Sequence, residues 1–334
     1  MGKRKVYTKI FVAITIMIIL VAKPSTAIQG AAEGIDICIK AVIPALFPFF
    51  IVTTYLNTSL LGHSIPLLLP VRKILKTPTG GDSLLLLGLI GGYPVGAQLI
   101  AQAYQNKQIS SRTSKLLLGY CNNAGPAFIF GITGSLFSSV YIPIILWALQ
   151  IFSALITGYL LPRPKIENMH LGYTQKINIT AVLKKSLNIC GVVCGWIILF
   201  KTVMSYLNLL LMNLLGNTAK VILAGFIELS NGCLQLAELP SMSLRFILCS
   251  AFLAFGGLCV IFQTVSAAES IGLGLYIHGK ILQTSISTIT GIFLTYILFP
   301  NDRIMASTAG GVIILCAVII LITKGAAKKY GNSL

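Results

Sequence analysis

Long apolar runs constrain this chain more than any other feature. Stretches near the ~20 residues needed to cross a bilayer core recur about eight times, near 8–26, 35–56, 115–137, 139–161, 183–207, 244–266, 275–299 and 304–323. Within lipid the backbone must satisfy its own polar groups, and a span of this length does so as a helix. The chain is 56% hydrophobic and 10% charged, whereas a soluble domain carries about 25% charge. The expected fold class is therefore an all-α polytopic membrane protein.

Two further apolar segments, near 83–105 and 218–239, are too interrupted to be plain spans and read as re-entrant hairpins. The first turns within Gly91-Gly92-Tyr93-Pro94-Val95-Gly96. The helix expected after it, from about Thr113, runs into Cys121-Asn122-Asn123-Ala124-Gly125-Pro126. Proline removes a backbone donor and crowds the preceding turn, and glycine permits conformations other residues resist. Broken backbone at membrane depth is tolerated where protein covers it or where it lines a polar cavity. A pair of interrupted segments thus points to a binding site.

The net charge of +17 raises the question of nucleic acid, but the placement of the charge answers it. Lys3, Arg4, Lys5 and Lys9 precede the first run. Arg72, Lys73, Lys76, Lys107, Arg112 and Lys115 flank the first hairpin, Arg163, Lys165, Lys176, Lys184 and Lys185 fill a central loop, and Lys324, Lys328 and Lys329 end the sequence. That is the positive-inside pattern of cytoplasmic loops, with membrane lipid rather than nucleic acid as the partner. Residues 1–27 admit two readings: an uncleaved first span, or a cleavable signal peptide ending in Ser25-Thr26-Ala27.

No catalytic or metal chemistry is expected. Eight cysteines are scattered through apolar runs, and His63, His170 and His278 lack metal-ligand spacing. The sequence has no nucleophile elbow, phosphate-cradling loop or paired-carboxylate motif. No cofactor is implied.

The polar loop around Arg163 to Asn178 divides two halves with matching features in matching order. Ile-Val-Thr-Thr-Tyr-Leu ends the second run, and Thr-Val-Met-Ser-Tyr-Leu ends the fifth. Gly88 precedes the first hairpin turn and Gly225 the second, with Gln98 and Gln235 equally spaced from them. Ala124-Gly125 and Phe130 answer Gly256-Gly257 and Phe262. An odd number of spans per half forces opposite orientations, the inverted-repeat plan of secondary transporters. The expected organisation is an N-terminal membrane segment over 1–34, a first repeat over 35–161, a cytoplasmic loop over 162–182, an inverted second repeat over 183–299, and a C-terminal helix with basic tail over 300–334.

Candidate site residues follow from the breaks. Glu228, in Glu-Leu-Ser-Asn-Gly, is a carboxylate in an apolar run, where it costs several kcal/mol unless paired, protonated or hydrated. It reads as the group serving an ion, a proton or a solute, or else as a residue at the outer interface in water. Ser230, Asn231 and the flexible Gly232 accompany it. Asn122 and Asn123 suit a neutral hydrogen-bonding solute, or else satisfy backbone groups released at Pro126. Gln263 is the second half's polar counterpart, Gly92 and Tyr93 lie at the first turn, and Gln98 follows it. Gly91, Pro94, Gly96, Gly125, Pro126, Gly232, Gly256 and Gly257 make the backbone breaks. Lys40 and Lys201 fall near outer span ends and are expected to snorkel.

Gly-Gly-Tyr-Pro-Val-Gly-Ala at 91–97, Cys-Asn-Asn-Ala-Gly-Pro-Ala-Phe at 121–128, Glu-Leu-Ser-Asn-Gly at 228–232 and Phe-Gly-Gly-Leu at 255–258 with Gln263 resemble the nucleoside recognition (Gate) domain family. The resemblance spans about 35 to 299. It implies a multi-pass protein of the bacterial inner membrane, similar in plan to concentrative nucleoside transporters. For the sporulation members of the family it implies a role in forming the spore cortex. The expected function is a sporulation-associated carrier of a small polar solute, a nucleoside or related metabolite, with a cation or proton as coupling partner. The alternative is a non-transporting component of cortex or envelope assembly.

Overall fold

A computed structural model describes residues 3–60, 63–137, 139–162, 169, 178–211, 214–302 and 304–332. Among these, six helices are long and apolar enough to cross a membrane: Pro24–Asn57, Tyr141–Leu160, Ile179–Leu209, Met242–Ala267, Gly274–Leu298 and Ser307–Lys329. No strand occurs among the described residues. This is the build of a helical membrane protein that crosses the bilayer several times.

The first half begins with α1 (Lys3–Ala22) and α2 (Pro24–Ile37), which continues through a π-helical turn (Cys38–Val42) into α3 (Ile43–Leu60). The run expected at 8–26 is thus cut at Lys23 by Pro24. The run expected from 35 instead starts at Pro24 and passes through Pro48 without ending. After α4 (Leu69–Leu75) come two short helices, α5 (Asp82–Ile90) and α6 (Val95–Gln105), joined at Gly91–Pro94. Then α7 (Ser111–Leu118) starts at Ser110, whose hydroxyl caps the Thr113 amide. It stops before a non-helical segment over 121–125, and α8 (Pro126–Phe128) resumes in a π turn. The run expected at 115–137 is therefore not one long helix: Gly119 and the Asn122–Pro126 break end it early. α9 (Tyr141–Leu160) closes the half.

The second half repeats this order. A long helix, α10 (Ile179–Leu211), is followed by the short pair α11 (Asn217–Ile227) and α12 (Leu229–Gln235). A broken helix follows, α13 (Met242–Phe255) and α14 (Gly257–Ala267), then a long helix, α15 (Gly274–Leu298). α16 (Ala306–Asn332) packs on α15. His170, Arg163, Lys165 and Lys176, in the loop expected between the halves, lie outside the described residues.

Packing equates the breaks as well as the elements. In the first half Gly88 and Gly96 lie so close to the Cys121 carbonyl that a Cβ on either would sit 2.3 and 2.1 Å from its oxygen. Gly125 abuts Gly92 at the turn. In the second half Gly257 abuts Ile227 and Leu229 at the corresponding turn, and Gly232 packs on Gly225. Each short pair is thereby seated against the break of the helix that follows it. A contiguous apolar core, including Phe50, Leu85, Leu117, Phe246 and Phe252, joins the two halves.

Candidate functional site between the two helix breaks

The two seated turns face one another across a small cavity. Its wall carries Gly91, Gly92 and Tyr93 from the first turn, Gly125 from the first break, and Glu228 and Ser230 from the second turn, with Gln263 from α14. Val42, Leu46, Val193 and Ile197 supply apolar wall from α3, α10 and the π turn. The space open to the centre of a water molecule is about 30 Å³, room for a water or two.

Glu228 is 1% exposed, so the interfacial alternative for it does not describe this structure. It stands in extended conformation between α11 and α12, with Oε1 accepting from the Ser230 amide at 3.0 Å and Oε2 from the Asn231 amide at 2.7 Å. These amides are orphan donors of the first helical turn, and a carboxylate there also meets the positive end of the helix dipole. The Asn231 side chain accepts from Lys201 Nζ at 2.8 Å, and Lys201 also pairs with Glu33 at 3.1 Å. Lys201 therefore does not snorkel: its side chain is 12% exposed and tied to the α12 end of the site. Lys40 does project outward, paired with Asp36.

The opposite wall leads to a lysine that the apolar pattern did not single out. Lys280, on α15, is 0% exposed. Its Nζ donates to Gln283 Oε1 (2.8 Å), Tyr93 Oη (3.0 Å), Asn123 Oδ1 (3.2 Å) and the Ala254 carbonyl (3.4 Å). Nζ lies 5.0 Å from the Tyr93 ring centroid, out past the hydroxyl rather than over the ring face, and 5.8 Å from the centroid of Tyr276. Tyr93 in turn donates from its hydroxyl to the Leu253 carbonyl at 3.1 Å. Those carbonyls are free because α13 stops at Phe255: Gly256 has φ +85° and Gly257 φ +78°, a left-handed end that leaves the last turn unpaired. The only cue in the sequence was one lysine inside an otherwise uncharged span at 275–299.

The asparagines stand behind the cavity wall. Asn122 accepts from the Ala97 amide at 3.3 Å, capping α6 from outside, and donates to Thr264 Oγ1 on α14 at 2.9 Å. Asn123 donates to the Tyr120 carbonyl at 2.7 Å. Each thus bonds one backbone group, on α6 and ahead of the break, and both also bond to the second half. Gln263 bonds Cys259 Sγ at 3.3 Å within its own helix. Gln98 is half-buried on α6 and does not line the cavity. Pro126 opens α8 at its first position, where its missing donor costs nothing. A second carboxylate that was missed, Asp82 at the start of α5, is also buried and meets Arg72 at 3.3 Å.

Over 114 residues, 34% of the chain, the sequence is 31% identical to the sporulation integral membrane protein YlbJ of Bacillus subtilis (strain 168). The match covers 28% of that relative's length. No family model matches the chain, so the Gate resemblance stands on its motifs alone. No solved structure matches it either.

Proposed function

We propose that this chain is a sporulation-associated protein of the bacterial plasma membrane and a carrier for a small polar solute, a nucleoside or related metabolite. The halves are taken as inverted and the short helix pairs as re-entrant, so the cavity lies near the bilayer midplane. One observation carries the reading: two breaks from separate halves converge on one cavity and present Tyr93, Glu228, Ser230 and Gln263 to it. Proteins built for packing alone have no need of polar groups at facing breaks, since each costs free energy unless bonded. The sporulation element rests on the partial likeness to YlbJ.

The cavity as it stands has room for a water or two and not for a solute, so loading requires the seated turns to part. Glu228 is the group on which a coupling proton or cation acts, being the charged side chain on the cavity wall. The role is not catalytic. A second reading, a membrane component of cortex or envelope assembly that transports nothing, draws on the same cavity's being too small for a solute.

A thermal-shift screen of purified protein against nucleosides and related metabolites tests the proposal. A solute at a hundred times its Kd should stabilise the protein by about 2.7 kcal/mol, with less effect on Glu228→Gln. Absence of any hit, together with normal spores from a deletion strain carrying Glu228→Gln and Asn123→Ala at wild-type protein levels, would favour the assembly reading.

A further inference from the structure

Four oxygens from four separate elements surround one nitrogen at Lys280. They are the Tyr93 hydroxyl at the first turn, the Asn123 amide oxygen in the first break, the Ala254 carbonyl at the end of α13, and the Gln283 amide oxygen one helical turn along α15. Among the described residues no carboxylate lies within 4.0 Å of the ammonium. Neutral hydroxyl and carbonyl oxygens arranged in this way are the donor set that replaces the hydration shell of a dissolved monovalent cation. The negative end of α13 completes it.

We propose that this cage is a monovalent-cation site which the chain fills with its own Lys280 ammonium. The site joins the halves, since Tyr93 and Asn123 come from the first and Ala254, Lys280 and Gln283 from the second. A tethered ammonium shares its three N–H donors among the four oxygens and cannot dissociate, so the breaks stay in register without any dissolved ion. Removing the side chain back to its Cβ leaves an oxygen-lined vacancy of the right polarity for a free ammonium.

Chemical rescue tests this on purified full-length protein, by melting temperature, without reference to transport. Lys280→Ala should melt below wild type in choline chloride. Ammonium or methylammonium chloride at equal ionic strength should recover half or more of the loss. Lys280→Met fills the vacancy with apolar volume; it should melt low and ignore every salt, and wild type should ignore them too. The proposal fails if Lys280→Ala responds no better to ammonium ions than to choline. It also fails if Lys280→Met melts with wild type, since the ammonium would then hold nothing together. Should Lys280→Ala not fold in choline, expression and purification in ammonium chloride is the same test, and failure there as well overturns the proposal. Because the readout is stability, either result leaves the carrier reading to its own solute screen.

Discussion

Replacing Glu228 measures how far one carboxylate holds the second turn together. Its two oxygens accept from the Ser230 and Asn231 amides at 3.0 and 2.7 Å, in a site 1% exposed. Glu228→Ala strands both donors, each at about 1–3 kcal/mol when buried. It also relieves the cost of burying a charge, which is of opposite sign. The Lys201–Asn231 contact at 2.8 Å and the dipole of α12 already offset part of that cost, so the stranded donors should dominate, at about 2–4 kcal/mol net. Glu228→Gln keeps one acceptor and should lose about 1–2 kcal/mol. For 334 residues the entropy of melting at about 2.1 cal/mol/K per residue gives roughly 0.7 kcal/mol/K. The expected falls in Tm are then about 3–6 °C for Ala and about 1–3 °C for Gln. Differential scanning fluorimetry in one detergent reads this order directly. If Glu228→Gln melts above wild type, the cost of the buried charge exceeds its capping, and the reasoning is wrong. If Glu228→Ala melts with wild type, the carboxylate does not cap α12.

Two further outcomes follow from the packing and the proposed topology. Gly96→Ala would place a Cβ 2.1 Å from the Cys121 oxygen and 3.1 Å from Asn122 Cα, so the break must shift. The variant should lose about 1–3 kcal/mol, whereas Gly195→Ala in α10, with nothing within 4 Å, should be neutral or mildly stabilising. Equal melting of the two would remove the seated-turn account. Cysteines at the exposed positions 107 and 238, in a background without native thiols, should label from opposite sides of the membrane. Labelling of both from the same side would contradict the inverted arrangement.

Much of the architecture was legible in the sequence because lipid leaves the backbone few choices. Apolar runs longer than the bilayer core must be helices, and Gly-Gly-Tyr-Pro, Asn-Asn-Ala-Gly-Pro and Phe-Gly-Gly mark where helices must stop, since those residues remove donors or favour other conformations. The order of these signals matches the order of the elements in the two halves, and Glu228 stands out because a carboxylate in an apolar run is costly wherever it faces. Hydropathy did not resolve the facing of individual side chains. A lysine in a span can snorkel or turn inward with the same local pattern. The pairing of Lys201 with Glu33 and the reach of Lys280 to Tyr93 and Asn123 depended on which helix lay opposite. The same holds for Asn122, whose bond to Thr264 spans the two halves. Helical periodicity places a residue on a face; the partner of that face lies more than a hundred residues away in the chain, and only the packed structure brings it within hydrogen-bond reach.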